Sequence, residues 1–316
     1  MQFFQPLFGF DNENFLPQGR PIALAIGVFD GVHTGHREII RTVKNMAEKR
    51  NALACALTFD PHPKSIFGEA PLLLMPVEER RRLLLEAGAD FTGTISFDRQ
   101  TAAIEPEDFL LRLVNDSRFR LAGIAVGEHW RFGSRGKGSG KLIEKYAQQF
   151  DFEFSAVPEL TDDDTIISSS AIRKFIVEGD IERAKKMLGR NPALYGKVER
   201  GFGVAGKELE TPTANLVPEY GVIPPDGVYA AMVVLDGKRH QAAVNIGVAP
   251  TYKVNRRRVE IHLLDWHGSL YGKNLKLEIV KFIRNEQTFP DPQALKQQIF
   301  ADISKIRLCL NKSELN

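Results

Sequence analysis

Five consecutive apolar residues, Ile22–Ile26, run straight into the segment GVFDGVHTGHRE at residues 27–38. A run that short and that apolar, bounded by glycine, reads as a buried parallel strand. Beyond it, Ile39, Ile40, Val43, Met46 and Ala47 fall on one face of a helix. Strand, glycine turn and helix in that order constrain this part of the chain to an α/β sheet. The turn then sits at the carboxyl end of a strand, where open α/β sheets take their ligands. Gly27, Gly31 and Gly35 permit close backbone approach or positive φ. His33 and His36 fall at or just before the first helical turn. Unpaired N–H groups and the positive end of the helix dipole make that place an anion site. Two imidazoles there donate hydrogen bonds to a phosphate and stabilise charge that grows in a transition state. A lone histidine at a helix start more often satisfies only backbone groups; the pair spaced His-x-Gly-His points to chemistry.

The first half alternates strand-like and helix-like segments. Residues 53–59, 91–97, 121–127 and 152–157 are strand-like; residues 77–87, 106–114 and 142–150 are helical. Arg80, Arg81 and Arg82 are expected on the wet face of their helix. Such alternation argues a parallel, doubly wound sheet with crossover helices. Near residue 180 the pattern changes to strands: 195–199, 227–235, 241–246, 259–264 and 275–283, with Asp236-Gly237 as a hairpin turn. A closing helix is expected, with Asp291 as N-cap, Pro292 as its first residue, and Leu295, Ile299, Ile303 and Ile306 as its apolar stripe. Strands followed by one helix suggest a small antiparallel barrel. The expected organisation is therefore residues 1–187 as a Rossmann-like domain and 188–316 as a barrel domain. A chain of 316 residues suits two domains.

Composition excludes more than it selects. The formal net charge is +2 with both signs interspersed, so nothing demands nucleic acid or an anionic membrane. No apolar stretch reaches transmembrane length, and the phenylalanines at 3, 4, 8 and 10 lack the basic flank of a signal peptide. Cys55 and Cys309 lie far apart in apolar patterns and read as core thiols in a reducing compartment. A cytoplasmic location is expected.

Four further segments carry possible chemistry. Thr58-Phe59-Asp60-Pro61-His62-Pro63 ends a strand in a proline-locked turn. Gly127-Glu128-His129-Trp130-Arg131-Phe132-Gly133 ends another and opens a glycine-bearing basic loop suited to polyphosphate. Ser168, Ser169 and Ser170 enter a helix, where hydroxyls cap free N–H groups or hold a phosphate, with Arg173 one turn on. In the second half, Gly201, Gly203, Gly206 and Lys207 form a loop able to wrap nucleotide phosphates. It precedes Thr211-Pro212-Thr213-Ala214-Asn215, where Thr213 and Asn215 place two hard oxygens on one side of an extended chain, as Mg²⁺ prefers. Each segment alone is also compatible with an ordinary turn, cap or solvated loop.

Taken together these segments resemble the bacterial bifunctional riboflavin kinase/FAD synthetase family. Residues 27–36 resemble its Gly-x-Phe-Asp-Gly-x-His-x-Gly-His form of the nucleotidylyltransferase signature. The resemblance continues through Thr58–Pro63, the serines with Arg173, Pro212-Thr213-Ala214-Asn215, Asn245-Ile246-Gly247, Glu260-x-His262, and Arg284-x-Glu286 with Phe289. It departs at His129, where the family has Asp or Asn, at Ser170 for threonine, and at Glu210-Thr211 for Gly-Phe. The resemblance implies that the barrel phosphorylates riboflavin to FMN with MgATP and that the first domain adenylylates FMN to FAD, releasing pyrophosphate. It implies catalytic roles for His33, His36 and Glu260, and ATP contacts for Gly27, Phe29, Asp30, Gly127, Ser168, Ser169, Ser170, Arg173, Gly206 and Lys207. It also implies flavin contacts for Asp60, His62, Arg284 and Glu286. Mg²⁺ falls to Thr213 and Asn215, and His262 and His267 are left structural. Alternatives are a kinase with an impaired first domain, an adenylyl- or cytidylyltransferase for another phosphate ester, and a flavin-binding regulator.

Overall fold

The computed structural model describes residues 7–10, 20–199, 214–248, 257–266 and 268–313. The chain forms two compact units, Met1–Pro71 with Val77–Ser168, and Leu72–Pro76 with Ser169–Asn316.

The first unit contains β1 (Gly9–Phe10), β2 (Ile22–Ile26), α1 (Thr34–Lys49), β3 (Leu53–Asp60), α2 (Val77–Glu86), β4 (Phe91–Ser96) and α3 (Arg99–Ala102). It continues through α4 (Pro106–Val114), β5 (Leu121–Gly127), α5 (Gly140–Phe150) and β6 (Glu153–Val157) to the pair β7 (Thr161–Asp162) and β8 (Thr165–Ile166). The main sheet has the order β1-β4-β3-β2-β5-β6. Only β1 runs antiparallel to its neighbour; the other pairings are parallel. Every residue of β2 is buried, as a strand covered on both faces requires. Helix α1 buries Ile39, Ile40, Val43, Met46 and Ala47, the face expected from its periodicity. The chain winds from β2 through β3 to β4, then restarts at β5 on the other side of β2. The topological switch point therefore lies between β2 and β5.

One expectation fails in α2. Arg81 and Arg82 are partly or well exposed, but Arg80 is fully buried. Its turn of the helix faces the sheet together with Leu83 and Leu84, and its guanidinium meets backbone carbonyls at the ends of β2 and β3.

The second unit opens with α6 (Ser169–Glu178) and α7 (Ile181–Leu188). Then follow β9 (Ala193–Glu199), β10 (Ala214–Tyr220), β11 (Gly227–Leu235), β12 (Lys238–Val248), β13 (Arg257–Leu263), β14 (Asn274–Arg284) and α8 (Pro292–Ser313). The six strands close into a barrel of order β10-β13-β12-β11-β14-β9, antiparallel throughout. Alternate residues such as Val244, Ile246, Val259 and Ile261 fill its interior, joined by Ile181 of α7. A second cluster on the outer face, including Val228, Met232 and Val280, packs against Ile306 and Leu310 of α8. Asp291 caps α8 as expected, accepting from the Ala294 N–H at 2.8 Å. By compactness α6 and α7 join the barrel unit, which therefore begins upstream of the 187/188 boundary expected from the sequence pattern. Strand β10 was not among the expected strands; it carries Pro218, where its pairing to β9 shifts register.

Candidate active sites

The first site lies at the switch point. A cavity of about 250 Å³ is walled by residues leaving β2 (Gly27, Phe29), by His33 and His36, and by Gly127 leaving β5. Ser168 completes the wall. Gly27 is required by close approach: a Cβ there would stand 2.9 Å from the Phe29 ring. Phe29 and Val32 hold φ of +52° and +37°, a conformation that costs energy for non-glycine residues and so marks a constrained loop. His33 is the N-cap of α1, and its Nδ1 accepts from the His36 N–H at 3.3 Å. That bond puts the ring hydrogen of neutral His33 on Nε2. The two imidazoles stack with centroids 3.5 Å apart, and Phe29 meets His36 edge-on at 5.2 Å. The helix N-terminus and both rings thus face one cavity of anion-binding character.

Asp30, Asp60, His62, Ser169, Ser170 and Arg173, also expected at a site, do not line this cavity. Asp30 is buried and lies outside the cavity wall. Asp60 is exposed at the end of β3, and His62 Nδ1 caps a short 3₁₀ turn, accepting from the Lys64 N–H at 3.1 Å. Ser169 and Ser170 open α6 in the second unit, and Arg173 Nε donates to the Leu72 carbonyl at 2.8 Å within that unit. His129 stands at the cavity rim between Glu128 and Glu159, 3.9 Å from each carboxylate. Trp130 stacks on Phe132 at 4.9 Å, so the aromatic character of this position is put to packing.

The second site follows from strand register. Glu199, Asn215, Glu260, Asn245, Val228 and Arg284 lie side by side across the barrel strands. Directly paired residues share a face. Val259 and Ile261 point inward, so Glu260 and its row point outward. Against this outer face α8 encloses a cavity of about 680 Å³, walled by Glu260, Asn245, Arg284, Glu286 and Phe289 and by Leu295, Ile299 and Ile303 of α8. Burial raises the Glu260 carboxyl above the usual range; Arg258 opposes that, and the Glu286 carboxylate adds to it. Glu286 Oε1 accepts from Asn245 Nδ2 at 3.4 Å and sits over Gly247, where a Cβ would lie 2.0 Å from that oxygen. Arg284 is held to buried Asp302 of α8 by Nε at 2.9 Å and Nη2 at 2.8 Å, and Gln298 donates to the other carboxylate oxygen at 2.8 Å.

His262, left structural by the sequence, also lines this cavity two residues beyond Glu260 on the same strand. That spacing was the available signal, since alternate residues share a face. Asn215 Oδ1 is buried with no hydrogen-bond partner among the described residues. An amide oxygen left so fits a hard cation such as Mg²⁺. Gly206, Lys207, Thr213 and His267 lie outside the described residues.

Each unit thus carries its own cavity lined by polar side chains, the first of anion-binding character, a layout that suits a transferase with two sites. The FAD synthetase family matches residues 16–171 and the riboflavin kinase family residues 188–310. The chain is 34% identical to the bifunctional riboflavin kinase/FMN adenylyltransferase of Escherichia coli K12, over 93% of this chain and 94% of that one. The protein of the same description from Haemophilus influenzae is 31% identical, over 97% and 99%. A solved structure described as a macrolide-efflux protein from Streptococcus pneumoniae superposes with a TM-score of 0.79 at 28% identity, covering 91% of this chain and 94% of that one. The chain belongs to the bifunctional riboflavin kinase/FMN adenylyltransferase family. It makes FMN from riboflavin and FAD from FMN, with ATP as co-substrate. No helix among the described residues is long and apolar enough to cross a membrane.

Proposed function

We propose that the two cavities divide the two reactions between them, with the boundary between catalytic modules at 187/188, where the riboflavin kinase match begins. In the first, an FMN phosphate oxygen attacks the α-phosphorus of ATP, and the bond to the pyrophosphate leaving group breaks. His33 and His36, with the N-terminus of α1, donate to the phosphate oxygens on which charge grows. Gly27, Phe29, Gly127 and Ser168 shape that pocket. The assignments of Asp30, Ser169, Ser170 and Arg173 to ATP, and of Asp60 and His62 to flavin, rest on motif.

In the barrel cavity Glu260 takes the proton of the riboflavin hydroxyl that accepts the phosphoryl group. Arg284, Glu286 and Phe289 flank the flavin, while Gly206 and Lys207 are assigned to ATP by sequence. Asn215 Oδ1, with Thr213, would hold Mg²⁺, which supplies charge neutralisation to the ATP phosphates when bound. Small molecules rather than nucleic acid or membrane are the partners, and two cysteines outside any disulfide suit a reducing, cytoplasmic setting.

The observation that carries this reading is the pair of separate cavities, each walled by one motif set. The test is four rates: His36→Ala and Glu260→Gln, each started from riboflavin and from FMN. His36→Ala is expected to slow FAD formation by on the order of 10²–10³ and to spare FMN formation. Glu260→Gln is expected to stall FMN formation while supplied FMN still becomes FAD. Loss of both reactions in either variant, with the thermal melt unchanged, contradicts the division.

A further inference from the structure

We propose that Arg80 is a positioning residue for FMN adenylyl transfer, holding the histidine loop after β2 and the turn after β3 in one fixed arrangement. The proposal rests on the assignment of His33 and His36 to that reaction.

Arg80 is fully buried, and burying a guanidinium is costly unless its hydrogens are well placed. Here Nη1 alone meets three acceptors: the Val28 carbonyl at 3.1 Å, Thr58 Oγ1 at 3.1 Å and the Phe59 carbonyl at 3.0 Å. Thr58, itself buried, donates from Oγ1 to the same Val28 carbonyl at 2.9 Å. These groups sit where β2 and β3 give up their ladder pairing, so their carbonyls need other donors. The two carbonyls belong to the last residues before chemistry. Val28 precedes Phe29, whose positive φ turns its ring onto the edge of His36. Phe59 precedes Asp60, which begins the segment assigned to flavin. A single side chain from α2 thus ties together the supports of the phosphate side and the flavin side. It also helps to hold the unfavourable backbone at Phe29 and Val32, which persists only where the surroundings over-determine it. Displacements of about 1 Å in such supports are enough to cost on the order of 10²-fold in rate. Arg80 touches no reacting atom in this scheme; it acts through Val28 and Phe59.

The test uses full-length Arg80→Met, Arg80→Lys and Thr58→Val, with kcat and KM for FMN adenylylation, the riboflavin kinase rate and the thermal melt measured on each preparation. Arg80→Met is expected to lower kcat for FAD formation on the order of 10²-fold with a much smaller change in KM for ATP. Arg80→Lys, whose ammonium reaches part of the same acceptor set, is expected to recover part of the loss. Thr58→Val, which keeps the cation and removes one shared link, is expected to give a smaller loss of the same kind. The kinase rate stays at the wild-type level in all three. An unchanged kcat in folded Arg80→Met overturns the proposal, as does a loss that vanishes when the assay is run well below the melt. Should Arg80→Met fail to fold, unchanged kcat in both Arg80→Lys and Thr58→Val overturns it. A His36→Ala control separates the failures. Full FAD formation by that control overturns the histidine assignment beneath the proposal, whereas an inactive control beside an unaffected Arg80→Met overturns the role of Arg80 alone.

Discussion

Glu260 is poised by opposing neighbours. Burial raises its carboxyl, Arg258 lowers it, and Glu286 raises it further. A base must be deprotonated to work, so riboflavin phosphorylation falls as pH drops through this raised value. Removing the Glu286 charge with Glu286→Gln is expected to move that acid limb to lower pH. Removing the Arg258 charge is expected to move it to higher pH. Limbs that stay in place in both variants would separate the pH profile from Glu260. Stability runs the other way. A carboxylate whose pKa is higher folded than unfolded favours the fold when protonated, and that contribution is lost as pH rises through the folded value. Glu260→Gln is neutral at every pH, so above that value it is expected to melt no lower than wild type while losing kinase activity.

At the scale of elements, α8 is both a wall and a clamp. It supplies Leu295, Ile299 and Ile303 to the cavity, and Ile306 and Leu310 anchor it on the barrel. Asp302 fixes it to β14 through Arg284. Asp302→Ala leaves a largely buried guanidinium without its carboxylate, a loss of about 3–5 kcal/mol in such settings. It is expected to lower the melt of the barrel unit and raise the KM for riboflavin, with FAD formation from FMN retained; an unchanged riboflavin KM would remove α8 from the binding wall. The stripe of α8 was legible because its apolar spacing is helical, but spacing does not tell a wall from a core. For the same reason the strands of the parallel sheet were legible as apolar runs, whereas β10 was not: Pro218 and the Pro-Thr-x-Asn turn chemistry mask its alternation. The row from Asn215 to Arg284 is invisible in sequence, since it exists only through the register of five strands. Three adjacent arginines in α2 carry no mark of which one turns inward. That depends on the helix's rotation against the sheet, and it puts Arg80 in the core.

At the scale of the whole chain, sequence pattern and packing draw different boundaries for the second unit. The sequence pattern changes near residue 180 and puts the expected boundary at 187/188, and the riboflavin kinase match starts at 188. Packing assigns α6 and α7 to the barrel unit as well. Ile181 of α7 is buried in the barrel's own apolar cluster, and Ala184, Met187 and Leu188 are buried beside it in sequence. Cutting at 188 removes Ile181, Ala184 and Met187. Losing one fully buried side chain of isoleucine or methionine size costs about 1.5–3 kcal/mol, so losing two of them takes a large share of a small domain's stability. A fragment of residues 169–316 is therefore expected to melt well above one of residues 188–316. Both keep the Glu260 row and the α8 wall, so both are expected to phosphorylate riboflavin below their melts, and neither is expected to make FAD. The measurement is a thermal melt and a riboflavin kinase rate for each fragment. Equal melts would show that α6 and α7 contribute nothing to the barrel's stability. An inactive but folded 169–316 fragment would show that the kinase site needs residues from the first unit.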